Sequence, residues 1–414
     1  MPVLMLETWL EKVKQQHRQL IDLGLQRVRE VARRLNLLQP SCLIITVGGT
    51  NGKGSAVAGL EACFIASGYR VGAFTSPYLY RFNELIRING ANASDDDFIE
   101  AFQKIEEARS DITLTQFEFN TLAALHIFQK HPLDIGILEV GLGGRLDAVN
   151  IIDADVSIVT SIAIDHTALL GNTREKIAYE KAGIFRSNKP ALCGDPNPPE
   201  ILADYAKQIK APLFCQNKEF YFEKDRMDWT WSSETRCLDH LPLPRLALQN
   251  MSTVLMALEL LQDKVPVSET AIRRALKKVD LPGRIQVIPG AVTQILDVSH
   301  NPAAVLFLAN YLQQNKPSGK VHAVFSMLAD KDIKETIQNI KAHIDEWYIA
   351  PLLVERGTPL PLLESYFHES NIFNVHSYDS IKKAYQAAHS FTRMGDCVLV
   401  FGSFYTIAAI GLNR

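Results

Sequence analysis

The chain has 414 residues, 47% of them hydrophobic and 21% charged, and a formal net charge of −3. This is enough for two domains with separate cores and too apolar for a disordered or fibrous chain; without a basic excess, nucleic acid and an anionic membrane are poor candidates for the main partner. Six cysteines (Cys42, Cys63, Cys193, Cys215, Cys237 and Cys397) lie far apart with no CxxC pair, which reads as reduced thiols in a cytoplasmic protein, not a disulfide framework or a zinc site.

In chain order, residues 1–38 read as an amphipathic helical region without a signal-peptide layout. Strands predicted at 42–47, 69–74, 134–140 and 156–162 then alternate with helices at 54–67, 94–109, 115–130 and 173–182, with Ser94 and Thr173 as N-caps and Gly68 ending the first helix. That alternation is the pattern of a parallel sheet covered by helices. Apolar runs such as 42–47 and 397–401 fall well short of the roughly 20 residues needed to cross a bilayer, so they read as buried strands. Residues 189–243, rich in Pro, Trp and turn residues, suggest β-structure at the domain's edge, and helices resume at 249–262 and 268–279. The run Asp280-Leu281-Pro282-Gly283-Arg284 breaks the helical period, which places a boundary between a domain of residues 1–284 and a smaller one of residues 285–414. Beyond it, strands at 292–298, 321–325, 347–350, 372–376 and 397–401 alternate with helices in a Rossmann-like α/β pattern.

The strongest motif is Gly48-Gly49-Thr50-Asn51-Gly52-Lys53-Gly54-Ser55, set between a buried strand and an amphipathic helix. Glycines let backbone N–H groups turn toward phosphate oxygens, the helix N-terminus adds a favourable field, Lys53 supplies a point charge and Ser55 reaches toward Mg2+. The strict GxxxxGK[ST] pattern is not met, because Val47 holds the first glycine position and Gly54 follows the lysine. Glu139 closes a predicted strand ahead of a glycine-rich loop, and Asp165-His166 follows another. Both lie at strand carboxyl ends, where parallel-sheet proteins place their chemistry.

The loop GTNGKGS resembles the Mur ligase superfamily, especially its folylpolyglutamate synthase branch, which includes bifunctional enzymes that also make dihydrofolate. The likeness continues through DLGLQRV at 22–28, TSP at 75–77, EVGLGGRLD at 139–147, DH at 165–166, EKAGI at 180–184, PGR at 282–284, DVSHNP at 297–302 and FSMLADKD at 325–332. The resemblance implies an N-terminal P-loop-containing Mur-ligase-like ATPase domain that binds ATP and pterin, and a C-terminal domain that binds glutamate and closes on the nucleotide. It implies ATP-dependent ligation of L-glutamate to 7,8-dihydropteroate and to reduced folates through an acyl phosphate, in a cytoplasmic monomer.

By the same resemblance, Ser76, Glu139 and His166 are magnesium ligands, and the family implies two such ions and activation by K+. Mg2+ prefers oxygen donors, so His166 is an atypical ligand on chemical grounds. Lys181, an ordinary helix lysine by spacing, is implied to be carbamylated, which would turn a cation into an anionic oxygen donor. Thr50, Asn51, Gly52, Lys53, Gly54, Ser55, Asn250, Arg284 and Asp297 are implied nucleotide contacts bridging both domains, with His300 approaching the phosphate on closure. Lys53, Lys181 and His300 thereby take catalytic roles. For the pterin acceptor the resemblance points to Asp22, to Thr115, Gln116, Phe117 and Glu118, and to Leu146, Asp147 and Ala148; Phe117 equally reads as helix core. Tyr78 stands where the branch has His, and Val149 where it has Thr; both are expected to tune acceptor recognition. A cell-wall Mur ligase shares the phosphate loop but leaves the folate-branch segments unexplained. A nucleotide or folate-binding protein without activity leaves Lys53, Glu139, His166 and Lys181 unused.

Overall fold

β-branched runs flanked by amphipathic segments fold here as the alternation predicts, in a computed structural model that describes residues 5–411. Chain packing separates two units, Met1–Asp280 and Leu281–Arg414, so the Pro-Gly-Arg turn at 282–284 begins the second.

In the first unit, helices α1 (Leu6–Gln15) and α2 (Gln26–Arg34) bury Leu6, Trp9 and Val13, and Val28, Val31 and Ala32, respectively. The single helical region expected at 1–38 is therefore interrupted, because the polar stretch from Gln15 to Gln19 offers no apolar stripe and Gly24 sits at φ 157°. Residues 1–4 of that expectation lie outside the described residues.

An eight-stranded sheet follows, made of β1 (Leu43–Gly48), β2 (Val71–Phe74), β3 (Ile86–Ile88), β4 (Ala91–Asn92), β5 (Ile135–Glu139), β6 (Val156–Val159), β7 (Ala191–Cys193) and β8 (Leu213–Cys215). Their order is β4-β3-β2-β5-β1-β6-β7-β8. Strands β2, β5, β1, β6, β7 and β8 pair in parallel, and β3 and β4 add an antiparallel edge. Helices α3 (Lys53–Ala66), α4 (Asp95–Arg109), α5 (Gln116–Lys130), α6 (Thr167–Leu170), α7 (Arg174–Ala182) and α8 (Glu200–Gln208) form the crossovers. Ser94 and Thr173 cap α4 and α7 through their side chains.

The β-structure expected over 189–243 divides in two. Strands β7 and β8 extend the main sheet, while β9 (Phe220–Lys224), β10 (Asp228–Ser233) and β11 (Cys237–Pro242) form a separate antiparallel sheet that buries Trp229 and Trp231. Helices α9 (Leu248–Leu260) and α10 (Glu269–Lys278) complete the unit.

The second unit is a six-stranded sheet of β12 (Gln286–Ile288), β13 (Thr293–Asp297), β14 (Val321–Phe325), β15 (Glu346–Ile349), β16 (Val375–Ser377) and β17 (Cys397–Phe401), ordered β12-β13-β17-β14-β15-β16. Only β12 runs antiparallel to its neighbour. Helices α11 (Pro302–Gln314), α12 (Ile333–Ile340), α13 (Leu360–Glu369), α14 (Ile381–Phe391) and α15 (Phe404–Ala409) surround a core in which Phe325, Trp347, Phe367 and Phe401 meet edge to face or tilted.

Candidate active site

Because β2, β5, β1 and β6 are consecutive neighbours running in one direction, the segments that follow them emerge along one edge of the sheet. These segments carry Ser76, the Gly141–Asp147 loop, the phosphate loop and His166. The loop ends of a parallel sheet are where ligands bind in this architecture.

The phosphate loop is held by the segment after β6. Thr50 N–H donates to the Ser161 carbonyl at 2.8 Å, and Asn51 N–H donates to Ser161 Oγ at 3.0 Å. The Thr160 and Ser161 hydroxyls donate to the Asn51 carbonyl at 2.7 and 3.0 Å. Thr50 Oγ1 donates to the Ala163 carbonyl and accepts from its N–H. Lys53 Nζ turns back over the loop, 3.3 and 3.4 Å from the Gly49 and Thr50 carbonyls. Two glycines permit this path. A Cβ on Gly49, at φ 138°, would lie 2.0 Å from Thr160 Oγ1, and one on Gly52, at φ 88°, would lie 2.4 Å from Asn250 Oδ1. Asn250 is thus brought against the loop from α9, and Ser55 is buried in the first turn of α3.

Ser76 and Glu139 come together: Ser76 N–H donates to Glu139 Oε2 at 3.3 Å, and the glutamate is only 4% exposed. His166 sits beside Asp165, whose Oδ1 accepts the His166 N–H at 2.8 Å, and its backbone holds the left-handed φ of 50°. Such strain in a non-glycine residue concentrates at functional sites. Among the described residues, no three His, Cys, Asp or Glu side chains are grouped to hold a metal ion. The buried Glu139 carboxylate and the Ser76 hydroxyl are nevertheless hard oxygen donors of the kind Mg2+ takes, and His166 follows on the same sheet edge.

Lys181 faces inward from α7 and is 3% exposed. Burial, reinforced by the positive charge of Lys53, pushes its ammonium down to about 7, against the opposing pull of Asp165 and Asp147. Burial pushes Asp147 up to about 7. Its two oxygens accept the Leu142 and Val149 N–H groups at 2.8 and 3.1 Å, folding the Gly141–Asp147 loop upon itself. Leu146 is half-buried and Ala148 buried beside it.

The acceptor candidates divide between two roles. Thr115 and Glu118 form a reciprocal cap on α5, with Gln116 as the first helical residue. Glu118 Oε1 also meets Arg27 at 3.1 Å, and Arg27 pairs with Asp22 at 2.7 Å. His17 holds Asp22 from its other side at 3.1 Å. Phe117 packs partly buried against Phe74, with ring centroids 5.8 Å apart, and against the Cα of Gly141, where a Cβ would lie 2.5 Å from the ring. Tyr78 is 42% exposed, whereas Val149 is wholly buried.

In the second unit Asp297 ends β13 and is buried, which raises its carboxyl. It accepts the Ile285 N–H at 2.7 Å, the Ser299 N–H at 2.9 Å and the Ser299 hydroxyl. The Arg284 guanidinium lies 4.9 Å from the Phe404 ring centre, and the His300 ring lies 6.3 Å from the same ring.

Sequence reasoning missed Arg27, Thr160, Ser161, Arg174, Asp195 and Phe404. Of these only Arg27 lay inside a recognised segment; the others are defined by partners distant in sequence.

Residues 283–404 match the family described as Mur ligase, glutamate ligase domain. The chain is 44% identical to the dihydrofolate synthase/folylpolyglutamate synthase of Escherichia coli strain K12, over 98% of its own length and 94% of that protein's. It is similar to E. coli FolC solved in complex with DHPP and ADP, with a TM-score of 0.95 and 43% identity, covering 98% of this chain and 97% of that one. It is also similar to the Yersinia pestis bifunctional folylpolyglutamate synthase/dihydrofolate synthase complexed with AMPPNP and Mn ion, at a TM-score of 0.93 and 43% identity over 98% and 97% of the two chains. No helix among the described residues is long and apolar enough to cross a membrane.

Proposed function

The chain belongs to the dihydrofolate synthase/folylpolyglutamate synthase family, and from that premise we propose that it joins L-glutamate to 7,8-dihydropteroate and to the γ-carboxylate of reduced folates, consuming ATP. The observation that carries this reading is the placement of a braced phosphate loop, Glu139, Ser76 and His166 along one edge of a single sheet.

In the proposed reaction the acceptor carboxylate attacks the γ-phosphorus of ATP, forming an acyl phosphate and releasing ADP. The α-amino group of glutamate then attacks the acyl carbon, and phosphate leaves as the amide forms. Two anions meet in the first step, so cationic and hydrogen-bonding groups set around the phosphates lower its barrier. Lys53 and the N–H groups of the phosphate loop supply them from the first unit, while Arg284, Asp297 and His300 are the nucleotide contacts proposed from the second. Ser76, Glu139 and His166 would hold magnesium, which supplies charge neutralisation when bound. Carbamylation of Lys181 would give the same region a further anionic oxygen, and a buried, neutral amine is the form that reacts with CO2. Asp22, Phe117, Leu146 and Ala148 are proposed to receive the pterin, with Thr115, Gln116, Glu118 and Asp147 shaping the segments around it. The match of residues 283–404 to a glutamate ligase domain supports glutamate binding in the second unit. K+ activation, a monomeric state and a cytoplasmic location belong to the same proposal.

Purified protein incubated with MgATP and glutamate, and separately with 7,8-dihydropteroate or tetrahydrofolate, is expected to yield an amide product from each acceptor by mass spectrometry. Product from one acceptor alone would restrict the proposal to that reaction, and ATP turnover with neither, but with a cell-wall precursor, would replace it.

A further inference from the structure

The β6–β7 ladder ends where Val159 faces Cys193, with Gly194 N–H still reaching the Val159 carbonyl at 2.8 Å. Beyond that rung, side chains continue what backbone pairing began. Ile162 N–H donates to Asp195 Oδ2 at 2.7 Å, and the Ile162 carbonyl accepts from Arg174 Nε at 2.8 Å. Arg174 closes the arrangement by donating to Asp195 Oδ1 at 3.0 Å and to the Asn197 carbonyl at 2.9 Å. Asp195 is buried, and its Oδ1 also accepts the Asn197 N–H at 3.0 Å. Both backbone polar groups of Ile162 are therefore gripped by an ion pair whose guanidinium presents its donors in a fixed fork.

The gripped residue has functional neighbours on each side. Ala163, next in the chain, exchanges hydrogen bonds with Thr50 of the phosphate loop, and Asp165 and His166 follow directly. Arg174 is itself the first residue of α7, two turns before Lys181, or about 10 Å along the helix axis. One side chain thus ties together the start of the Lys181 helix, the segment bearing His166 and the brace of the phosphate loop.

We propose that the Arg174–Asp195 clamp is a positioning device that sets His166 relative to the phosphate loop, so that divalent-metal affinity depends on it. This rests on the metal-ligand reading of His166 given above. Arg174 touches no substrate in this scheme and acts through Ile162.

The test is Mn2+ binding to the full-length protein with a non-hydrolysable ATP analogue, read by electron paramagnetic resonance, in wild type, Arg174→Ala, Arg174→Lys, Asp195→Asn and His166→Ala. Arg174→Ala is expected to raise the Mn2+ dissociation constant about tenfold and to slow turnover, with the KM for glutamate within about twofold of wild type. Arg174→Lys should recover only part of the loss, because an ammonium offers no fork for Ile162 and Asp195 together. The double variant Arg174→Ala/Asp195→Asn should bind Mn2+ about as Arg174→Ala does, since the two residues act as one unit. Wild-type Mn2+ affinity in Arg174→Ala, alongside weakened binding in His166→Ala, overturns the clamp and leaves the metal reading standing. Wild-type affinity in His166→Ala overturns both. If Arg174→Ala does not fold by circular dichroism, unchanged Mn2+ affinity in Arg174→Lys and Asp195→Asn overturns the proposal instead.

Discussion

Lys181 is the residue whose environment departs furthest from what its neighbours in sequence suggest. By spacing it belongs to a charged helix face, yet it is buried and held near neutrality by burial and by Lys53. The folded state then binds fewer protons at Lys181 than the unfolded chain does between pH about 7 and 10.5, so this group's contribution to stability rises with pH across that window, and its burial is most costly below it. Asp147 runs the other way: the folded state holds its proton from pH 3.8 up to about 7, so the stability it contributes is lost as pH rises through that range. In bicarbonate-free, metal-free buffer, Lys181→Met should therefore be more stable to urea than the parent at pH 6.5, with the gap narrowing by pH 9.5. The same variant should lose ligase activity by about a hundredfold or more if the carbamate is needed. Intact-mass spectra of the parent equilibrated with bicarbonate should show the added mass of CO2, removed on acidification. An unchanged urea midpoint difference across pH would contradict the assigned burial. The buried setting of Lys181 was not legible from local sequence, because it is created by residues of the phosphate loop and of two other loops.

At the scale of elements, the legible parts were those whose information is local. A strand, a glycine-rich turn and a helix follow one another within residues 43–66, and period and turn chemistry suffice to read them. The N-caps at Ser94 and Thr173 were likewise visible, since a cap needs only a neighbour three residues on. By contrast, the break between α1 and α2, the split of residues 189–243 between two sheets, and the Thr160–Ser161 brace depend on which distant segment a stretch pairs with. Another close contact of the loop, Gly52 against Asn250, joins elements from opposite ends of the first unit. Gly52→Ala places a Cβ where Asn250 already sits and asks a non-glycine residue to keep φ 88°, so the loop must shift. Its expected effect is a rise of about tenfold or more in the KM for ATP, with the KM for glutamate within about twofold, by steady-state kinetics. An unaltered ATP dependence would show that the loop tolerates displacement.

For the molecule as a whole, the alternation of strands and helices correctly indicated two α/β units, because parallel strands need helical crossovers and each crossover leaves a periodic trace. Strand order left no such trace. The sheet places β1 between β5 and β6, which come far later in the chain. Thr50 and Ala163, which hold each other across the phosphate loop, are 113 residues apart. During synthesis, then, the GTNGKGS segment leaves the ribosome long before the strands that flank it and the residues that brace it exist. Nucleotide cannot stabilise the growing chain through this loop until β6 and the turn after it have emerged, so the first unit must remain without that support for a long stretch of translation. Stalled chains ending before Ala163 should fail to be retained on immobilised ATP despite carrying the entire motif, and chains extended through α9, which adds Asn250, should be retained.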